Sequence, residues 1–155
     1  MKTSFSSAVV ALLIAIVSSL VSTALSAPVS DINNPSLKGL TSTTFDSSVA
    51  KGMWFVEFFS PWCHHCKAFA PTYADLAEIQ EPLEQTSDFY IRRVNCVEQG
   101  DLCDAQKVRG YPSLFLYQDG QKVDEYRGNR SFEDLMSFTT AKASDYRKAK
   151  AGVAA

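Results

Sequence analysis

Apolar and polar positions along this chain follow two periods, and the switches between them mark the elements. Met53 to Phe59 is a nearly continuous apolar run, the pattern of a strand buried on both faces. From Cys66 the apolar positions Phe69, Ala70, Tyr73, Leu76, Ala77 and Leu83 recur at helical spacing, which predicts a long helix with one buried stripe. Pro71 inside it predicts a kink. Phe89 to Val94 reads as a second strand, and Leu102 to Val108 as a short helix. Ser113 to Tyr117 and Val123 to Tyr126 flank Asp119-Gly120, a strong hairpin signal. Phe132, Leu135, Met136 and Thr139 predict a closing helix. Before the first strand, Leu37 to Leu40 suits a short edge strand. Thr43-Thr44-Phe45-Asp46 offers caps for a helix through Ala50 that ends at Gly52. Strands alternating with helices, then a hairpin and a helix, predict an α/β sandwich with a mixed central sheet.

The two ends of the chain differ from this middle. Lys2 precedes an apolar run from Ala8 to Val21, and small residues cluster at Ala24 to Ala27. This order predicts a secretory signal peptide over 1–27, cut near Ser26 or Ala27. The run is shorter than the about 20 residues that a spanning helix needs, so no membrane anchor is expected after cleavage. Residues 28–36 read as an extended leader, and the domain proper as 37–142. The Ala- and Lys-rich segment 143–155 reads as a frayed helix end or tail. The last four residues do not form a retention signal of the Lys-Asp-Glu-Leu type.

The 155 residues suffice for one domain, and 46% hydrophobic content supports a packed core. A formal charge of −2 argues against nucleic acid or an anionic membrane surface as partner. In an oxidising lumen all four cysteines would meet conditions in which disulfides persist. Four cysteines allow three pairings, and local spacing favours Cys63 with Cys66 and Cys96 with Cys103.

Cys63-His64-His65-Cys66 follows the buried strand and opens the long helix. The helix N-terminus favours a thiolate, which is the reactive form of cysteine. Cys63 is therefore the expected nucleophile. Cys66, about one turn on, is within reach to resolve a mixed disulfide. His65 can stabilise the Cys63 thiolate. Zinc is the rival use, but four consecutive ligands at a helix start cannot surround one tetrahedral ion without strain, so no metal is expected. Glu57 stands among apolar neighbours on both faces of its strand. Burial there raises a carboxyl pKa.

The segment Phe55-Val56-Glu57-Phe58-Phe59-Ser60-Pro61-Trp62-Cys63-His64-His65-Cys66-Lys67-Ala68-Phe69-Ala70-Pro71 resembles the active-site segment of the protein disulfide isomerase family. Val108-Arg109-Gly110-Tyr111-Pro112-Ser113-Leu114 resembles that family's second signature. The resemblance covers roughly Leu37 to Ala141 and implies one thioredoxin-like domain, a three-layer sandwich whose mixed sheet is flanked by helices. It implies a thiol–disulfide oxidoreductase or isomerase working on client proteins of the secretory pathway, in the endoplasmic reticulum lumen or outside the cell. It further implies a thiol oxidant or reductant as partner, with the Cys63–Cys66 disulfide in place of a cofactor. A secreted reductase and a redox-inactive peptide-binding chaperone are the alternative readings.

Residue by residue, the resemblance makes Glu57 a proton relay to Cys66. It makes Tyr111-Pro112 a cis bond beside the active site, and Trp62, Tyr111 and Pro112 a substrate-binding surface. It makes Cys96–Cys103 a structural disulfide. Arg130 resembles a family arginine that swings toward the second cysteine; a solvated loop arginine is the other reading. Two positions depart from the family pattern. His64 stands where glycine is usual, and either lowers the Cys63 pKa or points to solvent. Arg93 replaces a lysine that pairs with the buried glutamate, and arginine does not give up its proton. Asn129-Arg130-Ser131 is a glycosylation sequon.

Overall fold

The computed structural model describes Asn34 and residues 37–153. The expected signal peptide lies outside the described residues, as does the leader apart from Asn34. Elements follow in the order α1 (Phe45–Val49), β1 (Met53–Phe59), α2 (His64–Ile79), α3 (Pro82–Ser87), β2 (Phe89–Asn95), α4 (Gly100–Ala105), β3 (Ser113–Gln118), β4 (Gln121–Glu125) and α5 (Phe132–Val153). Among the described residues the strands form one sheet in the order β2-β1-β3-β4. β2 runs parallel to β1, whereas β3 and β4 are antiparallel additions, so the sheet is mixed.

The continuous apolar run of β1 has the expected cause. All seven of its residues are buried, because the strand is paired on both sides and covered on both faces. Successive side chains point to opposite faces. Met53 and Phe55 pack with Phe69, Tyr73 and Leu76 of α2 and with Leu135, Ala143 and Tyr146 of α5. Trp54, Val56 and Phe58 pack on the other side with Phe45, Val49, Leu102 and Cys103. The result is the three-layer α/β sandwich that the alternation of elements predicts.

The hairpin turns at Asp119 and Gly120, both at positive φ (47° and 85°). Two consecutive left-handed residues are the signature of a type I′ turn, which matches the twist of the flanking strands. The outer strand β4 carries Lys122, Asp124 and Glu125 and is largely exposed. On the opposite edge the expected strand at 37–40 reduces to a single parallel bridge, Gly39 to Arg93. Leu40 N–H donates to Arg93 O (2.8 Å) and Arg93 N–H to Lys38 O (3.3 Å), which covers the middle of the free edge of β2.

Two expectations change. The helical stripe drawn through Leu83 breaks at Gln80, and Pro82 starts a separate helix. Proline has no N–H for the Glu78 carbonyl but suits a first helical turn. The buried Gln80 amide donates to Thr139 Oγ1 (3.1 Å) and Thr140 Oγ1 (3.0 Å), fastening the end of α2 to α5. The segment read as a frayed helix end or tail from 143 continues α5 unbroken to Val153. Ala143 and Tyr146 enter the core, 1% and 5% exposed, and the Tyr146 hydroxyl donates to Asp119 Oδ1 (2.8 Å). Alanine and lysine are good helix formers, and only the two apolar positions one turn apart distinguish this stretch from a solvated end.

Because this last stretch completes the core, Tyr146→Ala should cost about 3 kcal/mol, comparable with other buried aromatic truncations. Urea unfolding followed by circular dichroism measures it, and an unchanged midpoint would remove residues 143–153 from the folded unit.

Candidate active site

β1 ends inside the core at Phe59, and the chain then turns over Ser60, Pro61 and Trp62 into α2. Cys63 N–H donates to Ser60 O (3.1 Å), and Trp62 N–H meets Ser60 Oγ (3.3 Å). Cys63 is the N-cap of α2, in extended conformation, and its carbonyl accepts from Lys67 N–H (3.1 Å). An N-cap side chain faces the free N–H groups of the next turn. As a thiol, the Cys63 sulfur donates to Tyr111 O (3.6 Å) instead of capping. As a thiolate it can accept from the helix.

The two thiols are free and differ in setting: Cys63 is half-buried and Cys66 buried. Partial desolvation works against the Cys63 thiolate. Hydrogen bonds from the Cys66 backbone, the Cys66 thiol and the His65 backbone, with the charge of Arg130, outweigh it and bring the pKa below the ordinary thiol value. Burial pushes Cys66 the opposite way, up to about 12; a hydrogen bond from the Ser60 backbone opposes this, and the charges of Cys63 and Glu57 add to it. One sulfur is thus prepared to attack while its neighbour holds its proton.

Glu57 lies on the face of β1 turned toward α2 and α5. It is 2% exposed, and among the described residues its Oε1 has no hydrogen-bond partner. Burial raises its pKa to about 8, against the lowering influence of Arg93 and Arg130. Arg93 is its register partner on β2, so the two side chains leave adjacent parallel strands on the same face. The Arg93 guanidinium lies over the Phe59 ring (5.0 Å) and donates to Asn34 O (3.2 Å). Glu57 is thus buried, as its apolar neighbours suggest, with Arg93 beside it on the next strand.

The Tyr111-Pro112 bond is cis. Pro112 is buried, while Tyr111 is 41% and Trp62 79% exposed. Arg130 Nη2 donates to Pro112 O (2.9 Å), and its guanidinium lies 6.0 Å from the centre of the Phe69 ring. The fold thus brings together Trp62, Cys63, Cys66, Tyr111, Pro112 and Arg130 at one end of the sheet, with Glu57 behind them. His64 and His65 are both exposed, their ring centres 6.1 Å apart. Among the described residues no group of three or more His, Cys, Asp or Glu is arranged to hold a metal ion.

Cys96 and Cys103 form a disulfide, both buried, linking the end of β2 to α4. Asn129 is exposed in the loop between β4 and α5. Sequence reasoning passed over Ser60, whose carbonyl, hydroxyl and N–H serve Cys63, Trp62 and Cys66 in turn. A serine at a strand-to-helix junction is the available signal, since its short side chain bonds nearby backbone.

The family model described as Thioredoxin matches residues 36–141. A Drosophila melanogaster protein, Thioredoxin domain-containing protein 5 homolog, is 41% identical over 96 residues, 61% of this chain and 23% of that protein. A Drosophila melanogaster Protein disulfide-isomerase is 39% identical over 99 residues, 64% of this chain and 19% of its own length. This chain therefore spans about a fifth of such relatives. The structure of the first two thioredoxin domains of Naumovozyma dairenensis Eps1p superposes with a TM-score of 0.65 at 37% identity, covering 68% of this chain and 40% of that one. A family model that matches residues 36–141, most of the chain, means that this protein belongs to the thioredoxin family.

Proposed function

We propose that this chain exchanges disulfides with client proteins, as a thiol–disulfide oxidoreductase with isomerase capacity in the secretory pathway. The observation that carries the reading is the opposed tuning of the two thiols, Cys63 down and Cys66 up to about 12, at one helix start. Relatives named protein disulfide-isomerase support the oxidoreductase part. The sequence of residues 1–27 supports the compartment, and among the described residues no helix is long and apolar enough to cross a membrane.

In the reductive direction the Cys63 thiolate attacks one sulfur of a client disulfide. The client S–S bond breaks, a Cys63–client bond forms, and the other client sulfur leaves as thiolate. When Glu57 is ionised, Cys66 passes its proton to that carboxylate and attacks the Cys63 sulfur. The second client thiolate departs, and Cys63–Cys66 is left oxidised. The reverse sequence oxidises a client dithiol. Trp62 and Tyr111 offer exposed apolar area for the client chain, and Arg130 supplies positive charge beside the sulfurs. A secreted reductase would use the same steps, and the reduction potential of the Cys63–Cys66 pair separates the two roles.

Cys63→Ser should abolish insulin reduction and scrambled-ribonuclease reactivation. Activity retained in that variant would sink the assignment. Glu57→Gln should slow the resolving step by roughly a hundredfold, the low end for general-base assistance. The mixed disulfide with a model peptide should then accumulate in rapid-quench samples, and resolution at the wild-type rate would exclude Glu57 as the relay.

The same carboxyl makes stability depend on pH. Its folded pKa of about 8 lies above the unfolded value, so the folded state holds a proton that the unfolded chain has lost. Glu57 therefore costs nothing below the unfolded value, and stability falls as pH rises toward 8. Glu57→Gln should flatten this slope and gain a few kcal/mol at pH 8, with little effect at pH 4. Urea titrations at both values measure it.

A further inference from the structure

We infer that Asn129 is an N-glycan acceptor and that its glycan stands at the rim of the catalytic face, where it limits which clients reach Cys63. The inference rests on the secretory reading above. Asn129-Arg130-Ser131 satisfies the acceptor pattern, whereas Asn34-Pro35-Ser36 has proline in the forbidden middle position. Asn129 is exposed in the loop joining β4 to α5, and its side chain makes no hydrogen bond among the described residues. Nothing is lost from the fold when its amide is substituted.

The loop is nevertheless held. The Tyr126 hydroxyl donates to Asn129 O, and the Tyr126 ring packs at 4.8 Å from Phe138 and 6.1 Å from Phe55 in the core. Tyr126 also closes over Gly128, where a Cβ would fall 2.7 Å from its hydroxyl. On the other side, Arg130 Nη2 donates to Pro112 O (2.9 Å). Tyr111, the neighbour of Pro112, accepts from the Cys63 thiol through its carbonyl (3.6 Å). Asn129 therefore sits on a stem fastened both to the aromatic core and to the loop that borders Cys63. A glycan there is carried on a held loop whose next residue, Arg130, reaches Pro112, not on a loose tail.

The modification uses a lipid-pyrophosphate-linked oligosaccharide as donor. The bond from the first sugar carbon to the pyrophosphate oxygen breaks, and a bond from that carbon to Asn129 Nδ2 forms. The amide gives up one proton and the lipid pyrophosphate leaves. The Ser131 hydroxyl, which in the fold accepts from Asp134 N–H (3.2 Å) and donates to Asp134 Oδ2 (2.8 Å), is free of this cap before α5 forms. Acceptor function on the nascent chain and capping in the folded chain thus follow one another. The geometry predicts a steric filter: bulky folded clients are slowed, while small flexible disulfides pass.

The test expresses the full chain in a eukaryotic secretory host. Wild type should migrate with one discrete upward shift that peptide N-glycosidase removes. Asn129→Gln should lack the shift, and Ser131→Thr, which keeps the acceptor pattern, should retain it. Protease protection of the microsomal fraction, or recovery from the medium, reports the compartment separately. A chain shown to be lumenal or secreted but unshifted overturns the acceptor assignment and leaves the secretory reading standing. A chain found outside that pathway overturns both. Enzymatic deglycosylation of the native protein should raise its rate on a folded disulfide protein and leave its rate on glutathione disulfide unchanged. Equal rates on the folded client before and after trimming would overturn the rim placement.

Discussion

The chemistry of this domain hangs from the carboxyl end of one strand that sees no water. β1 is paired on both sides and covered on both faces, so every residue it carries is fixed before the chain reaches Ser60. That rigidity serves two ends. It delivers Cys63 to the first turn of α2, where unpaired N–H groups await an acceptor. It also holds Glu57 in a setting too dry for a carboxylate, among the side chains of α2 and α5. A strand with one solvated face could do the first but not the second.

From that constraint the electrostatic asymmetry of the site follows. Depth along α2 separates the two sulfurs: the N-cap position is half-open and rich in donors, and the position three residues on is closed. The same helix start therefore lowers one thiol and the interior raises the other. Arg93 and Arg130 oppose the burial of Glu57 without cancelling it, which leaves its pKa near neutral instead of in the ordinary acid range. A group titrating there can both take and return a proton in one cycle.

Much of this was legible from residues. The unbroken apolar run over Met53–Phe59 announced a doubly covered strand, and the Asp119-Gly120 pair announced its hairpin, because each pattern has few physical solutions. Helix ends were less legible. Leu83 fits the stripe of α2, yet Pro82 begins a new helix, since an apolar position in phase does not reveal a missing backbone donor. The stretch after Lys142 looked like a solvated end because only Ala143 and Tyr146 are apolar toward the core. Their burial depends on how α5 crosses the sheet, which local sequence does not encode. In the site, Cys63, Cys66 and Glu57 were readable from position relative to β1 and α2. Pro112 and Arg130 came only through family resemblance, because the contacts that place them join loops far apart in the chain. Ser60 went unnoticed, since its contribution is mostly backbone.

The two borders of the sheet have a consequence of their own. One is covered at Arg93 by the 38–40 segment, and the other is the charged strand β4. Incompletely folded chains are rich in extended backbone with unmet hydrogen bonds, and they add readily to any open sheet margin. By covering the middle of one margin and charging the other, this fold leaves an extended chain little place to become a fifth strand.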